Sequence, residues 1–549
     1  MPLVLLAAGA FAAGLVTATG PARAERKLVA NYVTAWRRGD FTTMYGLLDA
    51  RSRARVSSTA FRAAYASAAT TATVISISPG RVSGPHGNVI TVSVRVRTRI
   101  FGTFRETLAV PLSGSGSGAH VQFKSQLVFP GLRPGEQLSR QVSLPPRASL
   151  YARDGTVLAQ GPSLFSPIPG VALQIVGTLG PISTGERAAY EAQGYPPKAM
   201  VGSDGLERLF QSQLAGTPGG TLLAGTRVLS VSTPKPGAPV TTTIDPKLEV
   251  AEIAAMGNRY AGMLAMDPQN GEVLAVAGIA YSAPQPPGST MKIITATGAL
   301  QAKIVKLSTT FPIATSATIS GYTLQNANGE ACGGTLLNAF AVSCNSVFAP
   351  LGVQLGAARL VAMAEKFGFN GPAPFPSAAP STIPSAATIG DDLAVGSSAI
   401  GQGRVLATPL EMAIAGAAIS MGGRRPIPTF LLHQTPTFIR VTSRHVAALV
   451  QKMMIAVVEF GTGTAAQIPG VLVAGKTGTA ELGNTTTATS TNSSTSSTNT
   501  PQNTDAWFVG YAPVGKPRIV VAALFPSQGA GGATAAPAVQ QVLAAALGK

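Results

Sequence analysis

At 549 residues the chain has length for roughly three domains, each with a buried core. Only 12% of its residues are charged, yet the formal net charge is +18, and seventeen basic against five acidic residues before position 141 supply about +12 of it. The arginines stand singly on apolar segments without interleaved aromatics, which excludes a nucleic-acid reader and points to an anionic cell envelope.

The chain opens on Leu3 to Thr19, apolar and uncharged, then offers Ala22-Arg23-Ala24, small residues at the spacing a signal peptidase accepts. A run of this length is at the short end for spanning a bilayer. Residues 1–24 therefore read as a signal peptide or a membrane anchor, with the rest on the extracytoplasmic face of the cell membrane or secreted to the envelope. The absence of a cysteine near this run excludes lipid modification there.

Leu28, Val29, Tyr32, Val33 and Trp36 then recur at helical spacing, and a second helix is predicted over Arg51 to Tyr65. From Val89 to Ile100 the period becomes two, with Ile90, Val92, Val94 and Val96 alternating with Arg95, Arg97 and Arg99, which predicts a strand with one solvated basic face. Further strands are predicted at Thr107 to Leu112 and Val121 to Phe129. Helices followed by an antiparallel sheet make a small α+β domain over 25–140. Gly131 to Pro146 reads as a linker. A hairpin around Asp154-Gly155, a helix from Gly205 and a second linker at Pro234 to Pro239 fill 141–240. Beyond them come a helix to Met256 started by Asp245-Pro246, and a strand hairpin over Met263 to Ala277.

Chemistry enters at Pro286-Pro287-Gly288-Ser289-Thr290-Met291-Lys292. The prolines and glycine stop the preceding segment and leave Ser289 at a helix N-terminus, where free N–H groups favour negative charge. Lys292 follows one turn later on the same face, so Ser289 and Lys292 form a candidate nucleophile and base. A second Ser-x-x-Lys at Ser232 to Lys235 contains Pro234 and cannot be helical, so it is discarded.

The only two cysteines, Cys332 and Cys344, are close enough in sequence for a disulfide, which would add about 3 kcal/mol in an oxidising compartment. Two buried free thiols are the alternative. Ser343-Cys344-Asn345 offers a hydroxyl for proton relay and an amide for a substrate. Val471 to Val473 leads as a strand into Lys476, Thr477, Gly478 and Thr479, a cation and hydroxyls suited to a carboxylate. Gly470 to Thr477 also spells the phosphate-loop pattern, but its apolar residues fill the supposed loop and no helical period follows. Residues 484–504, all small or polar, are expected to be a disordered insertion between two strands.

In this order Ser289-x-x-Lys292, Ser343-x-Asn345 and Lys476-Thr477-Gly478 resemble the motifs of the serine transpeptidases called penicillin-binding proteins. The likeness extends from Ala148 to the C-terminus. Thr243 to Pro246, Gly401-Gln402-Gly403, Thr408-Pro409-Leu410 and Asp505-Ala506-Trp507-Phe508 also resemble stretches of the catalytic domain. The resemblance implies a multidomain α+β chain of the transpeptidase-only, class B type. Its C-terminal transpeptidase domain, mainly antiparallel sheet flanked by helices, would span 241–549, an elongated pedestal or dimerisation domain 141–240, and an NTF2-like domain 25–140.

It further implies that Ser289 attacks the penultimate D-alanine carbonyl of a peptidoglycan stem peptide with Lys292 as base. Ser343 would relay a proton and Asn345 hold the peptide amide. Lys476, Thr477 and Thr479 would bind the terminal carboxylate beside Gly478, and the N–H groups of Ser289 and Thr479 would form the oxyanion hole. β-Lactams would acylate Ser289, and a glycosyltransferase in the envelope would be a partner. A D,D-carboxypeptidase or β-lactamase-type hydrolase and a non-catalytic β-lactam sensor are the alternatives. Four scattered histidines argue against a Ser-His-Asp triad or a zinc site, so neither metal nor cofactor is expected.

Overall fold

The computed structural model describes residues 20–481 and 504–549. Most of the predicted leader, and all of the predicted insertion except Thr504, lie outside the described residues. Among the described residues no single helix is long and apolar enough to cross a membrane. Two compact units are present, one built from residues up to Ala148 with Gly180–Val201 and Ser212–Ala238, the other from Ser149–Leu179, Gly202–Gln211 and Pro239–Lys549. The stretch 141–240, expected as one pedestal, contributes to both.

The first unit starts with helix α1, Gly20–Arg38, which includes the predicted cleavage residues. Val29, Tyr32, Val33 and Trp36 are buried along one face of it, the spacing that a single apolar stripe requires. Three short helices follow, α2 (Phe41–Gly46), α3 (Ala50–Arg55) and α4 (Ser58–Thr71). The single helix predicted over 51–65 is thus two, because Val56 is extended and the Ser57 side chain accepts the Ala60 N–H as a new N-cap. Strands β1 (Val74–Val82), β2 (Val89–Thr98), β3 (Thr103–Ser113) and β4 (His120–Val121) form an antiparallel sheet in that order. Ile90, Val92, Val94 and Val96 face the core while Arg95 and Arg97 are exposed. Phe61 and Tyr65 from α4 meet Phe123, and the Tyr32 and Tyr65 hydroxyls share a hydrogen bond of 2.7 Å inside this core.

Two expectations fail here. The strand predicted over Val121 to Phe129 ends at Val121, because the Phe123 N–H donates to Ser52 Oγ instead of a strand partner. A 3-10 turn, Ser125–Val128, then sinks Leu127 and Phe129 into the core. The predicted linker contains a strand, Leu138–Ser143, paired with Gly219–Ala224, which in turn pairs with Arg227–Ser232. Its flanking prolines hid it, since they are confined to positions outside the ladder. An ion pair of Arg227 with Glu136, at 2.7 Å, holds one end of this sheet.

The second unit is built on five antiparallel strands, β5 (Gly262–Met266), β6 (Val273–Gly278), β7 (Ala474–Glu481), β8 (Thr504–Ala512) and β9 (Ile519–Phe525). Their spatial order is β6-β5-β9-β8-β7, which leaves β7 at an edge. β8 and β9 are buried along their whole length, as in a sheet covered on both faces. Phe508 and Val521 pack with helices Pro246–Met256 and Ala535–Leu547 on one face. On the other, Gly416 in helix Pro409–Ser420 comes within contact distance of Val509 and Val520. Nearly 200 residues between β6 and β7 carry seven α-helices and six short strands, and from this stretch the turn Gly288–Met291 and helix Arg444–Glu459 lie against β7.

Phe61 is fully buried among aromatic neighbours of the first unit. Phe61→Ala is expected to destabilise that unit by about 3–5 kcal/mol, seen as an earlier transition in urea unfolding followed by aromatic circular dichroism.

Candidate active site

Gly288 takes a φ of +51°, and the 3-10 turn Gly288–Met291 runs into helix α5, Lys292–Gln301. A Cβ at 288 would lie 2.7 Å from the Thr479 carbonyl oxygen, and one at 478 would lie 2.7 Å from the Pro287 oxygen. Only glycines let the turn press against the open edge of β7. In an antiparallel strand the N–H and C=O of one residue point to the same side, so the Thr479 N–H also leaves β7 toward the turn that carries the partly exposed Ser289.

One turn on, Lys292 is fully buried. Its Nζ donates to the Ser343 carbonyl at 2.7 Å, to Asn345 Oδ1 at 2.8 Å and to Ser343 Oγ at 3.3 Å. Lys476, equally buried in β7, donates to Ser343 Oγ at 2.9 Å and to the Thr477 carbonyl at 3.1 Å. The Ser343 hydroxyl therefore sits between two amines. Lys292 Nζ lies 5.6 Å from the Phe348 ring centre and Lys476 Nζ 5.5 Å from that of Phe340, and the two rings meet edge to face.

Among the described residues no carboxylate forms an ion pair with either amine. Burial, and secondarily the charge of Lys476, push the Lys292 amine well below its ordinary range. Burial brings Lys476 down to about 7. The site thus holds a Lys292 amine that gives up its proton at lower pH than a free lysine does, and a second amine at Lys476 that an arriving anion would charge.

Ser343 follows helix α6, Leu336–Ala341, whose N-cap Thr335 accepts the Asn338 N–H. Its φ of +65° is unusual for a residue with a side chain. Helix α7, Asn345–Leu355, starts immediately after Cys344. Cys344 is bonded to Cys332, so of the two states left open by the sequence the structure has the disulfide. Asn345 Nδ2 donates to the Gln325 carbonyl at 2.9 Å, and the Ser346 N–H to Asn326 Oδ1 at 2.8 Å. These three links tie the Ser343 loop to the preceding hairpins.

Lys292, Ser343, Asn345, Lys476 and Thr477 are thus joined by side-chain hydrogen bonds, and Ser289, Gly478 and Thr479 adjoin them through the backbone approach. The Thr479 hydroxyl accepts from the Gly531 N–H at 3.3 Å. The phosphate-loop spelling is set aside by position, since Gly475, Lys476 and Thr477 are consecutive strand residues. Sequence reasoning missed Phe340, Phe348, Gln325 and Thr462, whose Oγ1 is hydrogen-bonded to Thr477 Oγ1. The run Gly461-Thr462-Gly463-Thr464 was the one available signal, small residues where two elements must touch.

The sequence pattern of the family described as penicillin binding protein transpeptidase domain matches residues 261–544, and that of the penicillin-binding protein dimerisation domain matches 167–241. The chain is 32% identical over 449 residues to the peptidoglycan D,D-transpeptidase PbpA of Mycolicibacterium smegmatis, covering 70% of this chain and 83% of the relative. It is also similar to the D,D-transpeptidase domain of a peptidoglycan glycosyltransferase from Eggerthella lenta, with a TM-score of 0.60, 28% identity and coverage of 74% and 99%. A structure of penicillin-binding protein A from M. tuberculosis as its penicillin G acyl-enzyme complex matches with a TM-score of 0.58, 26% identity and coverage of 73% and 100%.

The buried Lys476 sets a pH dependence. Its folded value of about 7 lies below the ordinary 10.5, so below pH 7 folding carries the full cost of a buried charge. Between these values the unfolded chain binds more protons, and stability rises with pH. Lys476→Met is expected to raise stability below pH 7 by about 1–4 kcal/mol, a gain that shrinks as the pH rises, measured by urea titration across the range.

Proposed function

The chain belongs to the penicillin-binding protein transpeptidase family, and on that premise we propose that it crosslinks peptidoglycan stem peptides through an acyl-enzyme on Ser289. The observation that carries this reading is the Ser343 hydroxyl held between two carboxylate-free amines, beside the turn of Ser289. Neutral Lys292 takes the Ser289 proton as the oxygen attacks the penultimate D-alanine carbonyl. Charge building on that carbonyl oxygen is met by the N–H groups of Ser289 and Thr479, the latter directed at the turn from the β7 edge.

As the carbon–nitrogen bond breaks, Ser343 passes a proton from the amine side to the departing D-alanine. Lys476, Thr477 and Thr479 bind its carboxylate, and Gly478 keeps the strand edge clear. Asn345 uses one amide hydrogen on Gln325, leaving the other for the peptide. An amine of a second stem peptide then attacks the ester, its proton returns through Lys292 to Ser289, and the crosslink forms. A β-lactam presents a carboxylate and a strained amide in the same relation, and acylates Ser289.

The remaining assignments follow from this reaction. Residues 241–549 are the transpeptidase domain. The dimerisation-domain match at 167–241 supports a pedestal over 141–240. Helices on an antiparallel sheet support an NTF2-like spacer over 25–140. Crosslinking of peptidoglycan takes place in the cell envelope, so residues 1–24 serve export or anchoring, and a glycosyltransferase there supplies the glycan strands.

Labelling with a fluorescent penicillin tests the reading. Stable labelling that disappears in Ser289→Ala, together with crosslinked product from a lipid-linked substrate, is the expected result; rapid release of hydrolysed drug would instead mark a hydrolase. Because the Lys292 amine lies well below its ordinary range, it is already neutral at pH values where a free lysine is charged. The acylation rate is expected to rise with pH through a limb far below 10.5 and to lose that limb in Lys292→Met, read by stopped-flow.

A further inference from the structure

Thr462 joins two parts of the cleft that are distant in sequence. It lies in the turn after helix Arg444–Glu459. Its N–H donates to the Ala341 carbonyl at 3.1 Å, its Oγ1 lies 3.4 Å from the same oxygen, and that Oγ1 is also hydrogen-bonded to Thr477 Oγ1. Ala341 ends α6, two residues before Ser343. The contact is tight, since a Cβ at Gly461 would lie 2.2 Å from the Ala341 oxygen.

Each threonine hydroxyl has one hydrogen and two lone pairs. If Thr477 donates to Thr462, the Thr462 hydrogen goes to Ala341 and Thr477 has none left for a ligand. If Thr462 donates to Thr477, the Thr477 hydrogen is free for an anion beside Lys476, whose Nζ lies 3.5 Å from Thr477 Oγ1. We propose that Thr462 is the positioning residue of the carboxylate site, turning its hydroxyl from Ala341 to Thr477 when a ligand carboxylate arrives. This rests on the transpeptidase reading and adds to it a residue outside the three motifs. Thr462 holds the Thr477 side chain on one rotamer and releases its hydrogen to the ligand, while itself touching neither the ligand nor the reacting atoms.

The test compares benzylpenicillin with its methyl ester, which lacks the carboxylate, by following second-order acylation of Ser289 with intact-protein mass spectrometry. Thr462→Val is expected to slow the acid roughly tenfold, the loss typical of one such hydrogen bond, while barely changing the ester, and Thr462→Ser is expected to restore the acid rate. Thr462→Ala, with its unfolding midpoint measured alongside, replaces the valine variant if that one folds poorly. Equal slowing of acid and ester, an unchanged acid rate in both hydroxyl-free variants, or failure of the serine variant to rescue would each overturn the proposal. Wild-type protein that neither compound acylates would overturn the transpeptidase reading itself, a result distinct from any of these.

Discussion

Two lysine amines kept out of water around one serine hydroxyl set the terms for the rest of the second unit. An ammonium in an apolar interior is costly unless something answers its charge. Among the described residues no carboxylate does so. Lys292 and Lys476 are answered by carbonyls, hydroxyls and the faces of Phe348 and Phe340. Carbonyls and rings lessen the cost without fixing the proton, so the amines remain free to exchange it. A paired carboxylate would have held both as permanent cations and left the cleft without a base.

Holding such a site requires a scaffold that does not yield, and the sheet provides it. β8 and β9 are buried along their full length, and β7 is laid against them in continuous antiparallel register. Its other edge is where the Ser289 turn arrives, with Gly288 and Gly478 setting the closeness of approach. On the opposite wall the Ser343 loop is fixed three times over, by Cys332, by the Gln325 carbonyl and by Asn326. The candidate site therefore lies between a sheet edge and a helix start, each braced from behind.

How much of this was legible depended on whether the signal was local. β2 was readable because Ile90 to Val96 alternate with arginines, and α1 because Val29, Tyr32, Val33 and Trp36 share one face. The helix break at Ser57 and the early end of β4 turn on single hydrogen bonds donated by the Ala60 and Phe123 N–H groups, which no periodicity encodes. In the cleft, Ser289, Lys292, Ser343 and Lys476 stood out by residue type and spacing. Phe340 and Phe348 look like ordinary core residues in the sequence. Their role beneath the amines exists only once α6, α7 and β7 are assembled, and the same holds for Thr462, more than a dozen residues from Thr477 in the chain.

The left-handed backbone at Ser343 constrains how this protein can evolve. A side chain there costs about 1–2 kcal/mol relative to glycine, so selection for stability alone would favour Gly, and then Asn, at this position. Neither carries the hydroxyl that the proposed proton relay needs. Drift toward a sturdier loop and retention of turnover thus pull on one codon in opposite directions, and a lineage relieved of wall synthesis should record its release first at this residue.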